Sequence, residues 1–321
     1  MIASCVAFAQ STDPFAGAVG SALNANAWQT HSGTAGQLVI TAGSLSYSSL
    51  ATVGNKTQIV AGNSEDVNLV TGPLTGTAYY SAILNVLNTD GLAVNTDPAG
   101  NYFLSLGATS GASVTALPAR LYIKAGATAG TFNLGVLNNS GGTATPTFST
   151  TDYPVATPTF VVLKYDLASN TASLFVNPSV GGAEGSATVT NATGTTAAPT
   201  QIASIVIRQA GTAAAGTGNV ELDNVRVGGT WDYVVSSTLG TNHNAIAGLQ
   251  VYPNPVTNGN LFITSDSNDT KNVAIYDVLG KKVVNTTVSD QPVNVSALNS
   301  GVYIVKITEA GKTATRKLVI K

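Results

Sequence analysis

Two acidic residues, Glu221 and Asp223, form the pattern in this sequence that comes nearest to catalytic chemistry. They flank Leu222 in an apolar run, Val220 to Val227, that is typical of a β-strand. Residues i and i+2 of a strand share one face, and their Cα atoms are about 6.5–7 Å apart. Two carboxylates at this spacing could serve as the nucleophile and the acid of a retaining glycosidase.

A bound cation is a second interpretation of the same acids. The apolar parity set by Val220 and Leu222 reverses after Asp223, which predicts a β-bulge at this point. Calcium takes six to eight oxygen ligands, from carboxylates and backbone carbonyls. If the first strand lies beside the last one, Asp13 joins Glu221 and Asp223, and the three predict a structural calcium site. Stabilisation of a turn by these acids, with no ion, is the alternative.

A cationic and aromatic stripe suggests ligand binding. Arg120, Tyr122 and Lys124 alternate with two aliphatic residues, so the three share one face of a predicted strand. Such a stripe can stack on a sugar ring and donate hydrogen bonds to its hydroxyls, although it also fits a solvated sheet face. Trp28 is a further candidate for ligand contact. Both Trp28 and Trp231 have core packing as the alternative interpretation.

Other catalytic patterns are not found in the sequence. Its two histidines, His31 and His243, are far apart and lack metal-ligand spacing. There is no Gly-x-Ser-x-Gly elbow, P-loop or His-Glu-x-x-His motif. A Ser-His-Asp triad would have to use His31, because His243 falls in a predicted linker. We therefore expect a protein that is not an enzyme.

Composition limits the partners of the chain. With 14 basic and 16 acidic residues among 321, the net charge is −2, which lacks the basic field that a nucleic-acid-binding protein needs. No apolar run approaches the roughly 18 residues that cross a membrane, so we expect no transmembrane segment. Charged residues are only 9% of the chain, and small and β-branched residues replace them.

The elements that position these residues are predicted to be strands in two domains. From residue 10 to residue 235, short apolar runs alternate with clusters of Gly, Asn, Asp, Pro and Thr, which indicates an antiparallel sandwich with little helix. Residues 236–248 are polar and predict a linker. Residues 249–321 show cleanly alternating strands, and Asp277 to Gly280 predicts a hairpin turn in which Gly280 has a positive φ.

The second domain resembles the C-terminal sorting domain, of type A, that directs Bacteroidetes proteins to the type IX secretion system. The resemblance rests on Tyr252-Pro253-Asn254-Pro255, on Asp277-Val278-Leu279-Gly280, on Gly301-Val302-Tyr303 and on the segment that begins at Lys317. It implies an immunoglobulin-like sandwich of about seven strands. It also assigns the sorting motif to eight residues: Pro253, Asn254, Pro255, Asp277, Gly280, Gly301, Tyr303 and Lys317.

This resemblance implies a route and a set of partners. The chain would cross the periplasm and reach the outer cell surface, and its partners would be the translocon, a shuttle protein and the sortase. The sortase would remove the sorting domain as the rest of the chain is attached to lipopolysaccharide or released.

The first nine residues resemble the second half of a signal peptide. Ala7-Phe8-Ala9 fits the small-x-small cleavage rule, but the charged n-region is missing, so Met1 is open to interpretation as a misplaced start. Ile2 to Cys5 also fits a loose lipobox, in which Cys5 would be lipidated. Cleavage after Ala9 would leave a chain without cysteine.

Residues 10–235 resemble a laminin-G or concanavalin-A-like jelly-roll domain. The segments that carry this resemblance include Ala25–Gly33, Phe160–Asp166 and Glu221–Val227. The expected fold class is all-β, with a large lectin-like jelly-roll sandwich followed by the small immunoglobulin-like one. Laminarinase-like enzymes of this general fold carry a Glu-x-Asp-x-x-Glu strand. Here Arg226 replaces the third acid, which argues against a glycosidase.

The leading functional hypothesis is a secreted cell-surface protein whose first domain binds polysaccharide or acts as an adhesin. One alternative is a structural surface-layer component that binds proteins or packs with itself. Another is a degenerate or unrecognised glycoside hydrolase, which a cleft lined by two close carboxylates would support.

Overall fold

The computed structural model describes residues 10–50, 53–237, 246, 248–267, 269–289, 291–309 and 312–321. The predicted signal-peptide segment with Cys5, most of the predicted linker, and His243 lie outside these residues. The chain divides into two compact units, with the division at residues 239 and 240. Among the described residues, no helix has the length and apolar character needed to cross a membrane.

Strands dominate the first unit, because short apolar runs are separated by turn residues. Its described strands, in chain order, are β1 Gln10–Asp13, β2 Trp28–Ser32, β3 Ile40–Thr41, β4 Lys56–Ile59, β5 Asp66–Leu74, β6 Thr77–Val86, β7 Asn101–Gly107, β8 Arg120–Ala125, β9 Thr131–Leu137, β10 Thr147–Phe148, β11 Tyr153–Pro154, β12 Thr159–Asp166, β13 Thr171–Val176, β14 Val189–Asn191, β15 Ile202–Arg208 and β16 Val220–Gly228. A single 3-10 turn covers Leu23–Ala25, and a short α-helix, α1, covers Trp231–Val235.

These strands form two eight-stranded antiparallel sheets. The back sheet has the order β14-β13-β12-β6-β16-β4-β3, with β1 paired to β16. The front sheet has the order β10-β9-β8-β7-β15-β5-β2, with β11 paired to β9. Side chains at alternate positions of both sheets form one shared apolar core, so the unit is a two-layer sandwich.

A third layer covers the outer face of the back sheet. Trp231 of α1 packs edge-on against Phe175 and Tyr79, with ring centroids 4.8 and 6.2 Å apart, and its Nε1 donates to the Gly182 carbonyl. Leu45 belongs to the same apolar cluster. The core interpretation of Trp231 is therefore confirmed, and much of this face is closed to a ligand.

The outer face of the front sheet is covered only in part. The loop of residues 108–119 joins β7 to β8 and folds back over β5 and β15. Asn68 exchanges two hydrogen bonds with the backbone of Gly111, and the Ser204 hydroxyl donates to the Thr109 carbonyl. Beside this loop, the outward-facing residues Tyr102, Arg120 and Arg208 are half-buried.

The second unit is a small sandwich of short strands around its own core. Its described strands are β17 Gln250–Tyr252, β18 Asn260–Thr264, β19 Lys271–Tyr276, β20 Lys282–Val288, β21 Val293–Asn294, β22 Gly301–Glu309 and β23 Lys312–Ile320. They form a sheet of order β17-β18-β21 and a sheet of order β20-β19-β22-β23. Both sheets contribute to one apolar cluster. The predicted all-β fold class, a large sandwich followed by a small one, is confirmed.

Candidate functional site

Two tyrosines form the centre of the uncovered part of the front sheet. Tyr122 on β8 pairs with Tyr102 on β7, and their ring centroids are 5.6 Å apart. The neighbours of Tyr122 along β8, Leu121 and Ile123, point into the core, so both tyrosine rings lie on the outer face. Neither hydroxyl donates a hydrogen bond to any residue that the structure describes. Tyr122 is 8% exposed and Tyr102 is half-buried, so Tyr102 offers the larger surface to a ligand.

Two arginines contact the ring of Tyr102. The guanidinium carbon of Arg208 lies 4.2 Å from the ring centroid, and that of Arg120 lies 5.1 Å from it. Arg120 was predicted from the alternation along β8. Tyr102 and Arg208 were missed, because they belong to other strands and only the order β8-β7-β15 brings them together. The sequence showed only that Tyr102 and Arg208 each lie next to a core residue in a strand, which places their side chains on the outer face.

Asp66 lies at the end of this row and is partnered with Arg208. Its register partner on β15 is Arg208, and the nearest oxygen–nitrogen distance is 4.0 Å, the length of a loose ion pair. Burial raises the pKa of the Asp66 carboxyl to about 6, even though Arg208 and the Gln209 amide both lower it. We call Tyr102, Tyr122, Arg120, Arg208 and Asp66 the Tyr102 surface.

Lys124 shares the outer face but is committed to a nearby loop. Its ammonium donates to the carbonyls of Asn95 and Asp97, at 2.8 and 3.0 Å, and lies 4.3 Å from the centroid of the Phe148 ring. Gly135 makes this arrangement possible, since a Cβ at that position would lie 2.8 Å from Phe148. Lys124 therefore lies at the border of the surface, with its ammonium group already hydrogen-bonded to the loop.

Trp28 is not on this face, and its assignment as a ligand contact is wrong. Its side chain is 2% exposed and stacks on Phe15 in the core between the sheets, with centroids 6.0 Å apart. Its indole N–H donates to Asp13. Trp28 points inward together with its register partner Leu69 on β5, which also belongs to the apolar core.

The three acids of the predicted calcium site are held separately. Strand β1 does lie beside β16, as expected, but each of the six carboxylate oxygens has a nitrogen partner. Those of Asp13 accept from Phe15 N and Trp28 Nε1, and those of Asp223 accept from Leu45 N and Asn224 N. Those of Glu221 contact Lys56 Nζ and Asn85 Nδ2. Within the described chain no three His, Cys, Asp or Glu residues come together, so this arrangement does not fit a shared calcium ion.

The same contacts bear on the glycosidase alternative. Asp223 is fully buried beneath the third layer, and burial raises the pKa of its carboxyl to about 6. Glu221 is paired with Lys56 at 2.8 Å. The predicted β-bulge is confirmed, since the register of β16 shifts between Asp223 and Arg226 and Asn224 has a φ of 51°. The two acids therefore line no open cleft. His31, the other catalytic candidate, contacts Asn68 through Nδ1.

In the second unit, Asn254 covers the edge of the last strand. Its amide donates to the Lys317 carbonyl at 2.8 Å, and its oxygen accepts from Val319 N at 2.9 Å. Val256 continues the contact through backbone hydrogen bonds to Val319 and Lys321. The peptide bonds before Pro253 and Pro255 are cis. Asn254 thus takes the place of a neighbouring strand over two residues.

The other sorting-motif residues shape turns and one packing contact. The Asp277 carboxylate accepts from the amides of Leu279 and Lys281, and Gly280 has a φ of 83°, so the predicted turn is confirmed. Tyr303 is nearly buried and donates to the Asn299 carbonyl. Gly301 begins β22 opposite the end of β23.

Comparison with known proteins identifies the second unit. Residues 250–321 match the model of the secretion system C-terminal sorting domain. Over 73 residues the chain is 37% identical to beta-agarase D of Zobellia galactanivorans, a match that covers 22% of this chain and 15% of the agarase. The chain thus spans a small part of the length of that relative. The predicted sorting domain, and with it secretion by the type IX system to the cell surface, is confirmed.

Similarity to solved structures is more distant. A sialidase shares 15% identity at a TM-score of 0.41, over 73% of this chain and 20% of the sialidase. Lectin II from Ulex europaeus shares 8% identity at a TM-score of 0.37, over 68% of this chain and 97% of the lectin. Similarity at this level indicates nothing about what this chain binds.

Proposed function

We propose that the first unit is a non-catalytic module that binds polysaccharide through the Tyr102 surface, on a protein displayed outside the cell. The observation that carries the proposal is the pair Tyr102 and Tyr122, which packs together on the outer face of the front sheet with no described hydrogen-bond partner for either hydroxyl. A tyrosine combines an apolar ring with a hydroxyl that can hydrogen-bond the hydroxyls of a sugar. The guanidinium groups beside Tyr102 add hydrogen-bond donors.

The exposed apolar residues favour this function over a self-packing surface-layer protein. In the described part of the first unit the large exposed hydrophobic residues are valines from separate segments: Val19, Val53, Val60, Val70 and Val94. Single exposed apolar residues are normal on a monomer, whereas a contiguous patch marks a protein interface. Because these residues do not mark a protein interface, a protein-binding adhesin is the second candidate.

In this proposal, the sorting domain directs the export of the first unit to the cell surface. We infer that the translocon and a shuttle protein receive residues 249–321, and that the sortase removes them on the outer surface. The first unit would then be attached to lipopolysaccharide or released with its polysaccharide-binding face unobstructed.

The test is binding of the full chain to a panel of neutral and acidic polysaccharides, measured by affinity electrophoresis and calorimetry. We expect one class to bind, and we expect Tyr102→Leu, which keeps the apolar bulk but removes the ring, to weaken that binding at least about tenfold. Tyr252→Leu is the control, since Tyr252 is an exposed tyrosine of the second unit that stacks on the ring of Phe262. Equal binding by Tyr102→Leu and wild type would refute the proposed site.

A further inference from the structure

We infer that the Tyr102 surface selects polysaccharides that carry carboxylate or sulfate groups, with Arg120 and Arg208 as the residues that bind the anions. This inference rests on the proposed function and specifies its ligand class. It follows from where the cations of the first unit lie and from which of them already have partners.

Most cations of the first unit are committed to other contacts. In residues 10–237, Lys56 pairs with Glu221 and Lys164 pairs with Glu184, at 2.8 and 2.7 Å. Arg226 is 2% exposed and donates to Asn224 and Ser236. Lys124 is held by two loop carbonyls. Arg120 and Arg208 remain, and they are two of the four arginines in the whole chain.

Arg120 has the larger capacity for a new partner. Only its Nε is used, in a hydrogen bond of 2.6 Å to the Leu117 carbonyl. An arginine has five N–H donors, and the other four of Arg120 donate to no described residue. Arg120 also forms no ion pair within the described part of the chain. Its Nε bond and its contact with Tyr102 fix the plane of the guanidinium, so the free donors are already oriented for a ligand.

Arg208 is held in position but only weakly neutralised. Its ion pair with Asp66 is long, at 4.0 Å, and its Nη1 makes a hydrogen bond of 3.4 Å to the Tyr102 carbonyl. Both guanidinium carbons lie within about 5 Å of one ring centroid, so they are at most about 9 Å apart. The surface therefore carries two positive charges and one negative charge around Tyr102.

This geometry fits an acidic sugar better than a neutral one. A guanidinium group binds a carboxylate or sulfate through two parallel hydrogen bonds, and hydrogen bonds between ionised groups are about twice as strong as neutral ones. A neutral sugar would leave the excess charge of the surface without a partner. Residues 10–237 hold six basic and eleven acidic residues, so within the first unit the attraction must be local to these two arginines. Carboxylate and sulfate share this chemistry, and the experiment separates them.

The experiment compares ligands of matched backbone. Binding of the full chain to a glucan, its sulfated derivative and its carboxymethyl derivative is measured at about 0.05 M and about 0.5 M salt, because screening weakens charge contacts selectively. We expect the charged derivatives to bind at least about tenfold more tightly than the plain glucan, with most of the difference lost at high salt. The two derivatives show whether sulfate or carboxylate is preferred.

Variants assign the effect to the surface. Arg120→Gln and Arg208→Gln should each weaken binding of the charged derivatives about tenfold. Arg208→Lys keeps the charge but loses the planar fork, so its affinity should lie between that of the wild type and that of Arg208→Gln. Lys164→Gln is the matched control, since it removes the same charge from a cation that also lies over a tyrosine, Tyr79, in the back sheet. Thermal melting checks that each variant is folded.

The outcomes separate this inference from the proposed function. Equal binding of plain and charged glucans, lost in Tyr102→Leu, would overturn the acidic preference and keep the polysaccharide site. Binding of charged derivatives that falls as much in Lys164→Gln as in Arg120→Gln would show non-specific attraction and overturn the inference. Binding to none of the polysaccharides, plain or charged, would overturn both proposals.

Discussion

At the scale of single residues, the function of a charge depends on the partners that it already has. Glu221 and Asp223 have the spacing of a catalytic pair in the sequence, but both carboxylates are occupied by backbone or side-chain nitrogen atoms. Arg120 shows the opposite case, since four of its donors are unused among the described residues. Spacing along a strand predicts the face of a side chain but not whether a neighbour from another strand has already bound it.

Asp66 predicts a pH dependence of binding. Its pKa is raised by burial to about 6, so the carboxyl is ionised at neutral pH and neutral below that value. The ionised form attracts Arg208 and repels an anionic ligand, and Glu65 and Arg208 are the other charged groups acting on it. Affinity for a sulfated glucan, whose charge is constant, should therefore rise as the pH falls from about 7 to about 5. Calorimetry across this range measures the effect.

Asp66→Asn provides the control for this prediction. The amide has no charge at any pH, so the variant should bind the sulfated glucan at neutral pH as well as the wild type does at about pH 5. Its affinity should then be nearly independent of pH. An unchanged pH profile in this variant would show that another group titrates.

At the scale of elements, the edge of a sheet has to be covered, and the two units do this differently. In the first unit, β7, β8 and β15 are interior strands, so their outer faces rather than their edges are available. In the second unit, β23 is an edge strand of nine residues, which is a risk for pairing between chains. Asn254 and Val256 occupy part of that edge. The place of Asn254 in the predicted sorting motif therefore has a structural explanation in this chain.

Asn254→Ala should expose that edge locally. The Val319 amide would lose its acceptor, and the Lys317 carbonyl would lose its donor, at a cost of about 1–2 kcal/mol to the stability of the second unit. Hydrogen exchange read out by mass spectrometry should show faster exchange in the segment that contains Val319. Asn285→Ala is the matched control, because Asn285 is an exposed asparagine on the edge strand β20. Equal exchange in the two variants would mean that Asn254 does not protect the strand.

At the scale of the whole molecule, the two units have separate cores. The apolar cluster of the first unit and that of the second unit share no residue. We therefore expect that removing residues 249–321 leaves the first unit folded but stops its export. Cell fractionation should find the truncated protein in the periplasm, with circular dichroism of the purified protein still showing β-structure.

A transfer experiment completes that test. Residues 249–321 fused to an unrelated periplasmic reporter should carry the reporter to the cell surface. Normal surface display of the truncated chain would refute the role of the sorting domain in export, whatever the reporter does.

Local patterns in the sequence were enough to predict the strands, the fold class and the sorting domain. Alternation with period two and turn residues identify strands, and the reversal of parity in β16 predicted its bulge at Asp223 and Asn224. The sorting domain was recognised from short motifs at fixed spacing.

Only the tertiary structure decided which side chains meet. Strands distant in the sequence lie side by side in a sheet of long-range pairings, so Tyr102, Arg120 and Arg208 come together although 106 positions separate Tyr102 from the last of them. The same strand packing buried Trp28 and gave every carboxylate oxygen of Asp13, Glu221 and Asp223 a nitrogen partner. A local pattern specifies which face a residue occupies. The partner on that face is set by strand order, which follows from packing one sheet on the other.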